Sequence, residues 1–359
     1  MAAPPDAPRP VRAGEELPLA ALRAFLDAHL PDLGELSVEQ FPGGYSNLTY
    51  LLRAGDGREF VLRRPPHGAR HGSAHDMLRE RRILAALHPC WPKVPRPLVA
   101  CDDEGVIGAP FYVMERVRGL IPRAGSAPLP PERARARAEV LIDTLAELHA
   151  VDVSIPGLAD LGRPDGYAAR QVRGWGERWA RARSDDVPEV ERLLAWLAAH
   201  VPPDGRAALL HNDFKFDNVV FDPDRPERVV AVLDWEMATL GDPLLDLGTT
   251  LAYWAERDDP AQWRGTSVVP ATLDEGCLSR LEVVERYARA CGHAVPADAL
   301  LFAFALGLFK LAVIAQQIYA RFLAGHARDA RFAGLGQVVR ACGRTGLRAL
   351  DLGRIDRLG

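Results

Sequence analysis

At 359 residues and 39.3 kDa the chain is too long for one ordinary domain core and has room for two, at about 150 residues per domain. Its composition, 48% hydrophobic and 26% charged, is globular and excludes a disordered or fibrous protein, although 31 glycines and 29 prolines imply many turns. A formal net charge of -4 leaves no electrostatic footprint for nucleic acid or an anionic membrane, so the expected partner is a small molecule.

Of the 44 basic residues only three, Lys93, Lys215 and Lys310, are lysine; the other 41 are arginine. With the abundance of alanine, glycine and proline, this reflects a GC-rich, bacterial genome more than chemistry. It also leaves three candidates for any mechanism that needs a lysine. The five cysteines show no C-x-x-C spacing and read as free thiols of a reducing cytosol, which sets aside disulfide and zinc scaffolds and implies a cytoplasmic protein. Met1 to Pro10 lacks the apolar core of a signal peptide, and residues 1–15 are expected to be a disordered tail. The longest apolar run, Ala299 to Phe309, ends after 11 residues at Lys310, short of the ~18 of a membrane span, and reads as a buried helix of a soluble protein.

In chain order, an amphipathic helix around Pro18 to His29 leads into a meander of three strands. These are Leu36 to Phe41, Leu48 to Arg53 and Glu59 to Arg64, separated by Pro42-Gly43-Gly44-Tyr45-Ser46-Asn47 and by Gly55-Asp56-Gly57. A helix over Ala74 to Leu87 and a strand over Phe111 to Val117 complete a small β-rich lobe. From Pro131 the periodicity becomes helical, with Val140, Leu141, Thr144, Leu145 and Leu148 on one face. Two short strands, Val219 to Phe221 and Val229 to Leu233, interrupt this second lobe and flank its densest polar cluster.

That cluster is His211-Asn212-Asp213-Phe214-Lys215-Phe216-Asp217-Asn218, with Asp234 lying 16 residues beyond Asn218 in Val232-Leu233-Asp234-Trp235-Glu236. If the two strands pair, Asp213, Asn218 and Asp234 converge on one edge. Phosphoryl transfer needs that set: one aspartate to orient the attacking hydroxyl, and a second with an amide oxygen to hold Mg2+ against the phosphates.

The pattern H-x-D-x-x-x-x-N followed by L-D-W-E resembles the aminoglycoside phosphotransferase and choline kinase-like branch of the protein-kinase fold. The resemblance extends from about Leu36 to about Tyr319. It implies an α+β, bilobal fold with a β-rich N-lobe over 16–117 and a mainly helical C-lobe over 118–359. It also implies a phosphate loop at Gly43, Gly44, Tyr45, Ser46 and Asn47, a helix glutamate at Glu80, and a hinge at Met114, Glu115 and Val117 for adenine. ATP and Mg2+ are the implied cofactors, with Asp213 as catalytic base, Lys215 neutralising the transferred phosphoryl group, and Asn218 and Asp234 as metal ligands. The segments Phe60 to Pro66, Gly166 to Trp179 and Gly241 to Gly248 look most like the kinase-like domain associated with acyl-CoA dehydrogenases. That subgroup is implicated in phosphorylating hydroxyacyl-CoA or related hydroxy acids.

One departure stands out. No lysine precedes Lys93, so the third-strand lysine that bridges nucleotide phosphates and the helix glutamate is absent. By strand alternation Arg63 takes its position, with Glu80 its expected partner. An arginine fork can clamp phosphate but differs in size and shape from an ammonium group, which leaves reduced activity or a distinct nucleotide pose open.

Several residues carry plainer readings beside functional ones. His211 is expected to order the catalytic loop, and Asp242 and Asp246 to accept backbone N–H groups near a helix start, with Asp242 an alternative metal neighbour. Glu236 is either a metal oxygen or solvated. His67, His71 and His75 lie four apart, but the glycines between them favour a loop over a metal site. Trp175 and Trp179 read as packing before a ligand box.

Residues 160–183, where the family inserts substrate-binding helices, hold six arginines against three acids and favour an anionic acceptor over a polycationic aminoglycoside. The expected activity is therefore ATP- and Mg-dependent phosphorylation of a hydroxyl on a small, anionic metabolite. An antibiotic kinase or a nucleotide-binding pseudokinase are the alternatives. ATP versus GTP and the oligomeric state stay open.

Overall fold

The computed structural model describes residues 7–42, 47–66, 76–123, 126–266, 271–325 and 329–359. The chain forms two compact units, one of Met1–Arg118 with Ala231–Met237 and one of Gly119–Val230 with Ala238–Gly359. The expected phosphate-loop residues Gly43, Gly44, Tyr45 and Ser46, and the spaced histidines His67, His71 and His75, lie outside the described residues.

In the first unit, α1 (Leu19–His29) precedes β1 (Leu36–Gln40), β2 (Leu48–Ala54) and β3 (Glu59–Arg64). After these come α2 (Met77–Leu87), β4 (Pro97–Cys101), the single turn α3 (Glu104–Ile107) and β5 (Phe111–Glu115). The strands make one antiparallel sheet of order β1-β2-β3-β5-β4. Period-two alternation gives it two different faces. Tyr50, Leu52, Phe60, Leu62, Phe111 and Val113 join Leu22 and Leu26 of α1 in an apolar core. Arg63, set between Thr49 and Tyr112 in the register, points to the opposite face.

Helix α2 packs on β4 and β5. Its Asp76 N-cap accepts the Arg79 N–H, and its buried stripe runs Glu80, Ile83, Leu84, Leu87, the i, i+3, i+4, i+7 spacing of one helix face. Glu80 is thus a carboxylate on an otherwise apolar stripe.

Two expected boundaries change. Residues 7–15, expected within a disordered tail, have defined partners: Arg9 bridges Gln40, the Arg12 N–H donates to Gln40 Oε1, and the Tyr50 hydroxyl donates to the Glu15 carbonyl. Those partners satisfy backbone groups that the Ala/Pro-rich composition suggested would stay hydrated. The segment Ala231–Met237, expected in the C-lobe, belongs to the first unit. The Val232 N–H donates to the Lys93 carbonyl, the Trp235 N–H to Glu80, and the Trp235 ring meets Trp91 edge-on at 5.9 Å.

The second unit opens with α4 (Pro131–His149), α5 (Tyr167–Ala182) and α6 (Pro188–Ala199). The short strands β6 (Ala208–Leu210), β7 (Val219–Phe221), β8 (Val229–Val232) and β9 (Thr239–Gly241) come next, and β8 continues into the segment carried by the first unit. Then follow α7 (Pro243–Ala252), the single turn α8 (Ala261–Arg264), α9 (Arg280–Cys291), α10 (Ala297–Leu323) and α11 (Leu335–Leu352). Strand β6 pairs with β9, and β7 with β8.

The axis of this unit is α10, against which α5, α6, α7 and α11 pack. The apolar run does not stop at Lys310: the helix continues through Leu311, Ala312 and Val313, and Lys310 is itself only 4% exposed. By length and composition α10 could cross a membrane, but 72% of its most apolar stretch is buried within the protein.

Helices α7 and α10 approach through glycines. A Cβ on Gly307 would sit 2.5 Å from the Gly248 carbonyl oxygen, and one on Gly248 would sit 2.3 Å from the Ala303 backbone. Helix propensity favours alanine over glycine by about 1 kcal/mol, whereas forcing the helices apart costs about 1–3 kcal/mol. Because the obstruction is backbone, we expect Gly307→Ala to destabilise the protein. The midpoint of urea unfolding should fall; an unchanged or raised midpoint would refute the close-contact argument.

Candidate functional site

In the first unit the site is built around Arg63. From β3 its Nη1 donates to Glu80 Oε1 at 2.5 Å and its Nη2 to Asp234 Oδ1 at 2.9 Å, with Glu236 Oε2 at 3.8 Å. Glu236 Oε2 also accepts Asn47 Nδ2 at 2.7 Å. One guanidinium therefore gathers carboxylates from α2 and from the segment after β8. Burial alone would push Arg63 down, but Glu80, Asp234 and Glu236 outweigh it and hold the guanidinium well above its ordinary range. Burial pushes the Glu80 carboxyl up, against the pull of Arg63.

The Asp234 backbone is left-handed, φ +69°, a conformation that costs a non-glycine residue about 1–2 kcal/mol. It persists because its flanks are anchored, through Val232 on Lys93 and Trp235 on Glu80. Of the expected hinge, Met114 and Glu115 close β5, where the Glu115 N–H donates to the Arg96 carbonyl, and Val117 lies two residues beyond the strand.

In the second unit the site is the loop after β6. Lys215 Nζ donates to both Asp213 oxygens, at 2.8 and 2.9 Å, and lies 4.4 Å from the centre of the Tyr253 ring. Asn218, in the single 3-10 turn Phe216–Asn218, donates through Nδ2 to the Asp213 carbonyl at 2.9 Å and to Oδ2 at 2.8 Å. The donor side of this amide therefore faces the aspartate, leaving its oxygen as a hard ligand for a cation such as Mg2+. Burial would lower the Lys215 ammonium, but the Asp213 charge and the Tyr253 phenol outweigh it, so it stays protonated.

The loop is held from below by α7. Asp246, fully buried, accepts the His211 N–H at 2.7 Å and the Asn212 N–H at 2.8 Å, with His149 Nε2 at 3.2 Å. Thr250 Oγ1 donates to the Phe214 carbonyl at 2.9 Å. Burial would raise the Asp246 carboxyl; the His149 ring and the His211 N–H more than offset it and hold it below the ordinary carboxylate range. Asp242 is the α7 N-cap and accepts the Leu244 N–H, as a helix-start carboxylate should. His211 is fully buried and its Nδ1 lies 3.3 Å from the Asp213 backbone nitrogen, an ordering position. Trp175 and Trp179 are buried, their indole N–H groups donating to Gln171 and Glu191.

The structure thus brings Arg63, Glu80, Asp234 and Asn47 together in one unit, and Asp213, Lys215 and Asn218 in the other. Four participants escaped the sequence reading: Tyr253 under Lys215, Asn212 with φ +66°, and Thr249 with Lys310 behind it. Only Lys310 carried a signal, as a rare lysine inside an apolar run.

The sequence model of the APH phosphotransferase enzyme family matches residues 37–272. Acyl-CoA dehydrogenase family member 11 of Gallus gallus is 39% identical over 297 residues, which are 82% of this chain and 38% of that protein. Acyl-CoA dehydrogenase family member 10 of Mus musculus is 37% identical over 330 residues, 90% of this chain and 30% of that protein. The chain therefore spans well under half the length of the curated relatives it matches. Among solved structures, a candidate aminoglycoside phosphotransferase from Ralstonia eutropha superposes with a TM-score of 0.78 at 30% identity, covering 94% of this chain and 99% of that one.

Two outcomes follow from these geometries. Arg63→Ala strands the buried Glu80 carboxylate and should cost about 3–5 kcal/mol, whereas adding Glu80→Gln should recover part of that loss. Urea unfolding of the four-member mutant cycle measures this, and simple additivity would contradict the pairing. For Asp246, the folded carboxyl binds its proton more weakly than the unfolded one. Its contribution is complete above an ordinary carboxylate pKa of about 4 and is lost as pH falls through the lower folded value. Asp246→Asn should flatten the acid limb of the stability–pH curve; a limb as steep as the parent's would refute it.

Proposed function

Because the chain belongs to the APH phosphotransferase enzyme family, we propose that it transfers the terminal phosphoryl group of ATP to a hydroxyl of a small anionic metabolite, a hydroxy acid or hydroxyacyl-CoA. It is a small-molecule kinase with a kinase-like fold. The observation that carries the reading is the Asp213 carboxylate, oriented by Lys215 and Asn218 on a loop anchored to Asp246.

In this reading Asp213 aligns the acceptor hydroxyl and takes its proton as the oxygen forms a bond to the γ-phosphorus and the bond to the β-γ bridging oxygen breaks, releasing ADP. Lys215, kept charged, offsets the negative charge of the group in transit. Mg2+, when bound, would neutralise charge on the phosphates; Asp234 in the first unit and Asn218 in the second each offer a hard oxygen that would suit it. Arg63 holds Asp234 in place through its fork, and its positive charge would favour phosphate nearby.

The anionic acceptor is favoured by the exposed face of α5. Arg170 is engaged by the Asp165 and Arg163 carbonyls and Arg183 by Glu191; Arg173, Arg178 and Arg181 are exposed and, although Arg178 lies over the Trp175 ring, they pair with no carboxylate among the described residues. A carboxylate or the phosphates of a CoA thioester suit such a face, and a polycation does not.

Asp213→Asn should keep the unfolding temperature and nucleotide affinity of the parent while turnover falls about 10²–10⁴-fold. Parent-like turnover in that variant would reject the assignment. Supplying hydroxyacyl-CoAs, free hydroxy acids and an aminoglycoside in a coupled ADP assay ranks the acceptors. Turnover of the aminoglycoside alone would overturn the anionic choice, and ATP consumption that is absent with every acceptor and indifferent to Mg2+ would favour a pseudokinase.

A further inference from the structure

Lys310 is the least expected residue of the second unit. It sits at the centre of α10, 4% exposed, with apolar neighbours on both sides in sequence. Its Nζ donates to Asn212 Oδ1 and to Thr249 Oγ1, both at 3.2 Å, and lies 5.8 Å from the centre of the Trp175 ring. The hydrogen-bonded partners are neutral, and no carboxylate lies within ion-pair distance of it among the described residues. Taking an ammonium out of water without a carboxylate beside it is unfavourable, and a core methionine or leucine would fill α10 without that cost. A chain that spells nearly every basic residue as arginine keeps two of its three lysines, Lys215 and Lys310, in contact with the catalytic loop.

Asn212 explains what the ammonium does there. Its backbone is left-handed at φ +66°, immediately before Asp213, and such a turn holds only when its surroundings over-determine it. The Asn212 N–H is fixed by Asp246, and its side-chain oxygen takes two donors, the Tyr167 hydroxyl at 3.1 Å and Lys310 Nζ. Thr249, the second acceptor for Lys310, lies one turn along α7 from Asp246. The loop is thereby held at its backbone by α7 and at its side chain by α5 and α10. A charged donor makes a stronger bond to the amide oxygen than a neutral one, and a compact ammonium fits where the wider arginine fork would not.

We propose that Lys310 is a positioning residue for phosphoryl transfer, its ammonium group holding the left-handed Asn212 and through it the Asp213 carboxylate in the geometry for turnover. This rests on the reading of Asp213 as the group that aligns the acceptor hydroxyl. The charges that act on Lys310 are Asp246 on α7 and Asp213 in the loop, which favour the ammonium, and Arg178 on α5, which opposes it. Burial outweighs them and brings Lys310 down to about 8, so its charge is lost within an accessible pH range. Raising the pH through that value converts two charge-assisted bonds into weaker neutral ones.

The test is Lys310→Met, which is one atom shorter, stays unbranched and removes the charge. The unfolding temperature at pH 7 should equal or exceed the parent's, because a buried ammonium has been deleted, and nucleotide affinity should stay within about twofold. The turnover number kcat should fall at least tenfold, and the alkaline limb of the kcat–pH profile near 8 should disappear. Parent-like kcat in a folded variant would overturn the inference, as would a loss of kcat that merely tracks a loss of folded protein or an alkaline limb retained unchanged. Asp213→Asn measured alongside separates the two claims. If that variant is inactive while Lys310→Met is fully active, only the role of Lys310 fails; if Asp213→Asn is active, the assignment of the base fails first.

Discussion

The first unit depends on how a buried carboxylate is compensated. Glu80 lies on the apolar stripe of α2, where an ionised side chain without a partner would be strongly unfavourable. Arg63 supplies the partner from β3, and because a guanidinium is a fork and not a point charge, its second arm reaches Asp234. A lysine ammonium could satisfy Glu80 but lacks the planar reach that ties both carboxylates to rigid positions on one donor. The arginine therefore does more than stand in for a lysine: it links the helix glutamate to the left-handed turn at Asp234, residues separated by more than 150 positions in sequence.

The second unit solves the same electrostatic problem, a buried carboxylate, with different donors. Asp246 is buried with no arginine paired to it among the described residues; two backbone N–H groups of the loop that carries Asp213 and the His149 ring compensate it. Directed donors from a loop fix that loop in place, so the buried charge is what makes the loop rigid. Above this foundation Asp213 is oriented by Lys215 and Asn218. The close glycine contact between α7 and α10 brings the helix bearing Asp246 and Thr249 against the one bearing Lys310. Fold and site are connected by that contact.

Much of this was legible from residue order. The strands of the meander, the α2 helix and the helical second half follow from period-two and period-3.6 patterns, and spacing marks Asp213, Asn218 and Asp234 as candidates. Other parts left no local trace. Strands β6 and β9 are three residues each and are stabilised by pairing across 29 to 33 positions, a contact that no short window of sequence contains. Residues 7–15 look unstructured by composition, yet Gln40 and Tyr50 hold them. The apolar run continues past Lys310 because Asn212 in the loop after β6 and Thr249 on α7 supply polar partners inside the core.

By itself the sequence determined the kind of chemistry and the residues available for it. Catalytic groups must be of particular types at particular separations along a loop, and that constraint is one-dimensional. It also limited the lysines to three, which singled out Lys215 and put Arg63 in an unusual place. Only tertiary structure decided which charges share a donor and which are buried. Asp234 joined the unit of Arg63 and Glu80, Asp246 became the anchor of the loop that carries Asp213, and Lys310 came to lie behind Asn212. Those outcomes turn on desolvation, and whether a charge is desolvated is set by what folds around it, not by its neighbours in the chain.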